Sequence, residues 1–119
     1  MTPKREFVDY LRDMQDAIDK IERFTLGLTD EQFRRDDKTV FAVVRALEVM
    51  GEAAKSVPPD IRDRYPQIPW KDMTGIRDKL IHEYFGVNLD VVWKTVQSDL
   101  PKLKPLIAGA LKDVSARDQ

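Results

Sequence analysis

Apolar positions recur along this chain at helical rather than strand spacing. Phe7, Leu11, Met14, Ile18 and Ile21 step by four, three, four and three, which gathers them into one seam. Asp9, Asp13, Asp16, Lys20 and Arg23 keep the same rhythm on the opposite side, where a charged stripe reads as a solvated face. With Thr2-Pro3 as cap and first-turn proline, the spacing predicts a first helix from about residue 3 to about residue 25.

The period lapses at Leu26-Gly27-Leu28, and Thr29-Asp30-Glu31-Gln32 then has the form of a capping box opening a short helical turn. A second long helix, from about 38 to 57, carries Val40, Val43, Val44, Leu47, Met50, Ala54 and Val57 inward and stops at Pro58-Pro59. Its small residues Ala46, Gly51, Ala53 and Ala54 allow a neighbouring helix to come close. The proline-punctuated stretch from 58 to 69 holds a short turn at Asp60 to Arg64. A third helix starts at Pro69, with Asp72 in its first turn and Trp70, Met73, Ile76, Leu80 and Tyr84 on its apolar side. Gly86 is its predicted left-handed stop. Asn88 caps the last helix, whose seam is Leu89, Trp93, Val96, Leu100, Leu103, Ile107, Ala110 and Val114. Pro101 and Pro105 predict a kink or short break near 98 to 101 rather than an end. No stretch alternates with period two and nothing repeats. The prediction is an all-α fold, an up-down helical bundle of four main helices plus short helical turns, with a helical insertion between the second and third.

Composition narrows the function classes. The 119 residues have the length of one domain and contain no cysteine, which excludes disulfides, thiolate metal sites and cysteine nucleophiles. The charge-dense first 25 residues do not resemble a signal peptide and no apolar run approaches the ~20 residues that span a bilayer, so no membrane association and a cytoplasmic location are expected. Lys and Arg number 20 against 21 Asp and Glu, so the net charge is −1. Proteins that grip long nucleic acid through its backbone are usually strongly basic; an RNA substrate here requires local contacts or a partner's field.

There is no Gly-rich phosphate loop, no nucleophile elbow and only one histidine, which argues against a histidine metal site in one chain and leaves no metal expected. His82 is the side chain whose ordinary pKa suits acid–base chemistry near neutrality, although a lone histidine in a helix is more often structural. Arg45, Glu48 and Glu52 share a face of the second helix, either as an exposed ion-pair ladder or as the lining of a site.

The segment from Gly75 to Gly86 reads Arg77-x-x-x-x-His82-x-Tyr84, with Asp78 directly after the arginine. It resembles the Arg-x4–6-His motif of the HEPN superfamily, in the tyrosine-bearing form of HepT-like toxins. Ile68-Pro69-Trp70-Lys71-Asp72-Met73, Phe85-Gly86-Val87, Arg45 through Ala54, Val92-Trp93 and Asp99-Leu100-Pro101 are similar to the same family's flanks, so the resemblance covers residues 1–119 as one HEPN/HepT-like domain. It implies a metal-independent endoribonuclease that needs no cofactor, with Arg77 and His82 catalytic. Asp78 either orients Arg77 or is a surface charge. It also implies a type VII-like toxin–antitoxin system, in which an MntA-like nucleotidyltransferase antitoxin adenylylates Tyr84.

RNA transesterification needs a base for the ribose 2′-OH, an acid for the leaving 5′ oxygen and positive charge at the phosphorane. One histidine per chain falls short, and residues five apart on a helix point about 140° from each other. A homodimer that pools two motifs in one cleft eases both problems. Two other classes remain: a catalytically inactive HEPN partner or nucleotide-binding subunit of a nucleotidyltransferase, and a helical structural module in which Trp70, Trp93 and His82 serve the core.

Overall fold

The computed structural model describes residues 5–82 and 86–117. Helix α1 spans Phe7–Thr25, so it begins later than the sequence pattern predicts; the expected Thr2-Pro3 cap lies outside the described residues. Its start is fixed by the Glu6 N–H, which donates to the Asp9 carboxylate at 3.0 Å. Leu11, Met14, Ile18 and Ile21 are fully buried, as the seam requires. Helix α2, Asp30–Arg35, opens on the predicted box: the Gln32 N–H donates to the Thr29 hydroxyl at 3.1 Å, and the Thr29 N–H donates to the Gln32 side chain at 3.0 Å.

Helix α3, Asp37–Ser56, is capped by the Asp36 carboxylate, which accepts from the Thr39 N–H and hydroxyl. Val43, Leu47, Met50 and Ala54 are buried, and α1 packs along α3 more extensively than any other pair of elements. Each large side chain removed from water there contributes about 1.5–3 kcal/mol. Helix α4, Pro59–Arg64, fills the predicted insertion. The Arg62 guanidinium donates to the carbonyls of Val57 and Lys55, closing the end of α3. The Tyr65 hydroxyl donates to Asp113 at 2.8 Å and the Trp70 indole N–H to the Tyr65 carbonyl at 3.1 Å, so the insertion is tied to the last helix.

The predicted third helix is two short ones. Helix α5, Trp70–Thr74, stops at Gly75, and helix α6 covers Ile76–Leu80. Trp70, Met73, Ile76 and Leu80 are buried as expected. The helix then ends at Leu80, not at Gly86. Strand β1, Ile81–His82, pairs antiparallel with β2, Gly86–Val87, with Ile81 opposite Val87 and His82 opposite Gly86. Gly86 does take the left-handed conformation, φ +73°, but in the returning strand of this bridge rather than as a helix cap. The Asn88 N–H donates to the Leu80 carbonyl at 2.7 Å, so one of the orphan acceptors at the end of α6 is satisfied across the bridge.

Helix α7, Leu89–Lys94, has its N-terminus capped by the Asn88 side chain, which accepts from the Val91 N–H at 3.2 Å. A π-helical turn over Thr95–Asp99 leads into helix α8, Leu100–Arg117. The kink expected near 98 to 101 is therefore a π turn. Pro101 supplies no N–H, and in a regular helix its ring would meet the Gln97 carbonyl; the wider turn ahead of it relieves that crowding. The seam continues through Val96, Leu100, Leu103, Ile107, Ala110 and Val114, all buried, which places α8 against α1. Val92, which the seam omits, is fully buried, while Trp93 is half-buried. The described residues form an all-α bundle with one two-residue bridge, and none of their helices is long and apolar enough to cross a membrane.

Candidate functional site

The motif straddles a change of structure. Arg77 lies on α6 and is exposed; His82 lies five residues on, in β1, its backbone in register with Gly86. The expectation that both sit on one helix, about 140° apart, is thus overturned: the chain leaves the helix after Leu80, and the separation is set by the bridge. Tyr84 lies outside the described residues. Asp78 and Lys79 are exposed beside Arg77, and neither carboxylate nor ammonium forms an ion pair with another described residue.

Three contacts place this segment. A Cβ built on Gly51 would stand 2.7 Å from Ile76 Cγ2 and 3.0 Å from the Met73 carbonyl oxygen. Only glycine lets α3 approach α6 so closely, which realises the small-residue contact expected of α3. On the other side, the Arg34 guanidinium bridges Asp30 on its own helix, at 2.6 Å, and Asp90 in the first turn of α7. The hydrogen bonds to Asp30 and Asp90 hold the Arg34 guanidinium above its ordinary pKa. The Phe33 and Trp93 rings meet at 5.2 Å between centroids, tilted by 34°. Helix α2 therefore anchors α7, and α7 through Asn88 anchors the bridge that carries His82.

Arg45, Glu48 and Glu52 are brought together on the outward side of α3, but not as the ladder. Glu52 stands 3.6 Å from Lys55, whereas no ion pair joins Arg45 to Glu48 or Glu52. Beside α6 a groove of about 410 Å³ opens between α5–α6 and the π turn with α8. Its charged lining is Asp72, Lys79, Lys94, Asp99 and Lys102, three cations to two carboxylates. Among the described residues no three His, Asp or Glu side chains converge as ligands of a metal would.

The motif is legible in the sequence; the contacts that aim it are not. Asn88 was legible as a helix cap, but its backbone bond to Leu80 was not. Arg34, Asp90 and Phe33 carried no signal, because their partners lie far away in the chain: Asp90 is 56 residues from Arg34.

The family model described as "Ribonuclease HepT-like" matches residues 14–109. A Thermococcus cleftensis protein named probable ribonuclease HepT is 54% identical over 101 residues, covering 85% of this chain and 92% of its own length. A Methanocaldococcus jannaschii protein named as a candidate RNase is 43% identical over 117 residues, 98% of this chain and 97% of its own. Another so named, from Caldanaerobacter subterraneus, is 36% identical over 111 residues, 93% and 96% of the two chains. No solved structure matches.

Proposed function

The chain belongs to the HepT-like ribonuclease family, and we propose that it is a toxin endoribonuclease that cleaves RNA without a metal, at a site shared between two protomers. The observation that carries this is Arg77 standing exposed on α6, with His82 five residues on in the bridge that follows that helix. A guanidinium is always charged and its fork matches a phosphate, so Arg77 binds the scissile phosphate and stabilises charge as the phosphorane forms. One imidazole takes the proton of the ribose 2′-OH as its oxygen attacks phosphorus; the P–O5′ bond breaks, and the imidazolium of the second protomer protonates the departing 5′ oxygen. The products are a 2′,3′-cyclic phosphate and a 5′-hydroxyl. Because each chain has a single histidine, each protomer holds half of this chemistry.

The near-neutral net charge is compatible with RNA binding if the contacts are local. Lys79, Lys94 and Lys102 around the groove beside α6 offer such contacts, tempered by Asp72 and Asp99. Control falls to Tyr84, two residues from His82 in the chain. A nucleotidyltransferase antitoxin transfers AMP from ATP to its hydroxyl and releases pyrophosphate. The added bulk and negative phosphate then keep RNA away.

The test is cleavage of RNA in chelator by the wild type, His82→Ala and Arg77→Ala. The wild type should leave 2′,3′-cyclic phosphate ends, and each variant should lose about 10²–10⁴-fold in rate. Equal cleavage by all three proteins, or none by any, rejects the enzyme in favour of an inactive partner of a nucleotidyltransferase.

A further inference from the structure

The groove between α5–α6 and α8 joins two kinds of surface. Its floor is apolar: Met50, Met73, Ile76, Leu100 and Leu103, all buried, come from α3, α5, α6 and α8. Its rim is cationic. Lys79, Lys94 and Lys102 come from α6, α7 and α8, all three are exposed, and no carboxylate of another described residue stands within ion-pair distance of them. At about 410 Å³ the groove falls within the roughly 300–1,000 Å³ usual for small-ligand sites. One wall is the π turn, through Thr95 and Asp99, and π turns inside helices occur frequently at functional sites. Two other grooves of similar size lack this combination. One of about 400 Å³ between α4 and α8 carries Arg64 and Arg117, but Arg117 is bonded to Asp113 at 2.9 Å. In one of about 380 Å³ beside the end of α1, Glu22 is the only charged residue of the described lining.

We infer that this groove is a nucleotide subsite for the RNA strand: a base lies on the apolar floor while its flanking phosphates meet Lys79, Lys94 and Lys102. A base has flat apolar faces and an anion on either side of it in the strand, which matches a hydrophobic floor ringed by cations from three elements. The polarisable thioethers of Met50 and Met73 suit contact with an aromatic ring. A fatty chain would fill the floor but answer only one of the three lysines. Asp72 and Asp99 on the rim repel a uniformly anionic surface, such as an acidic membrane, and can accept from the amino group of a base. Arg77 and Lys79 are two residues apart on α6 and so point about 160° from each other. The groove therefore holds a nucleotide farther along the strand than the one whose phosphate Arg77 binds. This deepens the ribonuclease reading above and rests on it for the choice of RNA.

Binding of a short single-stranded 2′-O-methyl oligocytidylate, which lacks the hydroxyl needed for cleavage, tests the subsite without relying on catalysis. Fluorescence anisotropy across a range of salt concentrations gives the slope of log affinity against log salt. That slope should shrink by about 0.7 in each of Lys94→Gln and Lys102→Gln. Lys112→Gln, at an exposed position of α8 outside the groove, should leave it unchanged. Methionine methyl NMR locates the base. The Met50 and Met73 methyls should shift with the oligocytidylate and stay in place with an abasic backbone of the same length, while fully buried Met14 on α1 responds to neither. Unchanged slopes in both groove variants overturn the subsite, as do Met50 and Met73 methyls that ignore the oligonucleotide or follow protein concentration instead. Cleavage of ordinary RNA, measured in parallel, keeps the two readings apart. A wild type that binds through the groove but cuts nothing retains the subsite and removes the ribonuclease; cleavage by a protein whose groove variants bind normally does the reverse.

Discussion

Where α1 runs along α3, position comes from many apolar contacts at once: Leu11, Met14, Ile18 and Ile21 on one helix and Val43, Leu47, Met50 and Ala54 on the other are all buried. From Gly75 to Asn88 fewer side chains are buried, Ile76 and Leu80 among them, and position also depends on single contacts: the close approach of Ile76 to Gly51, a two-residue bridge, and one bond from Asn88 to the Leu80 carbonyl. The first region can lose a contact and keep its shape, because its neighbours still hold it. The second cannot average an error away, and it carries the arginine and the histidine. Stability and activity should therefore respond to substitution in different regions.

The largest effect on stability belongs to the core. Leu47→Ala removes a fully buried side chain and should cost about 2–5 kcal/mol in urea or guanidinium unfolding, while RNA cleavage per folded molecule stays within about threefold of wild type. Gly51→Ala comes next, with the emphasis reversed. The added methyl meets the Met73 carbonyl, which is backbone and cannot swing aside; the cost should be about 1–3 kcal/mol, yet cleavage should fall further than in Leu47→Ala. If the two variants lose activity only in proportion to stability, the contrast between the regions is wrong. Asn88→Ala should be mildest. It removes the cap of α7, worth about 1 kcal/mol, but keeps the backbone bond to Leu80, so its loss of cleavage should lie between those of the other two.

The same contrast decides what could be read from the sequence. Periodic seams are local in the chain, so α1, α3 and α8 are visible in the spacing of Leu11 to Ile21, Val43 to Ala54 and Leu100 to Val114. The end of α6 is not, because Ile81 and His82 fit the continuing helical pattern, which pairing with Val87 and Gly86 overrides. Gly86 is legible as a left-handed position, but the pattern reads it as a helix end where the structure has a bridge. Arg77 and His82 stand out by motif alone. The separation of Arg45 from Glu48 as partners, and the bonds of Arg34 to Asp90, depend on side-chain directions and long-range approach that spacing does not encode.

The π turn over Thr95–Asp99 has one more consequence. Such a turn amounts to one extra residue let into a helix, and one residue is worth about 100° of rotation. It sets the phase between two halves of one continuous rod. The C-terminal half is locked to α1 by Leu103, Ile107 and Ala110, while the N-terminal half presents Trp93 to Phe33 and Asn88 to the bridge. Deleting a single residue from this turn would leave the bundle's grip intact and rotate α7 away from both partners, so the rod acts as a gear whose tooth count positions the histidine strand.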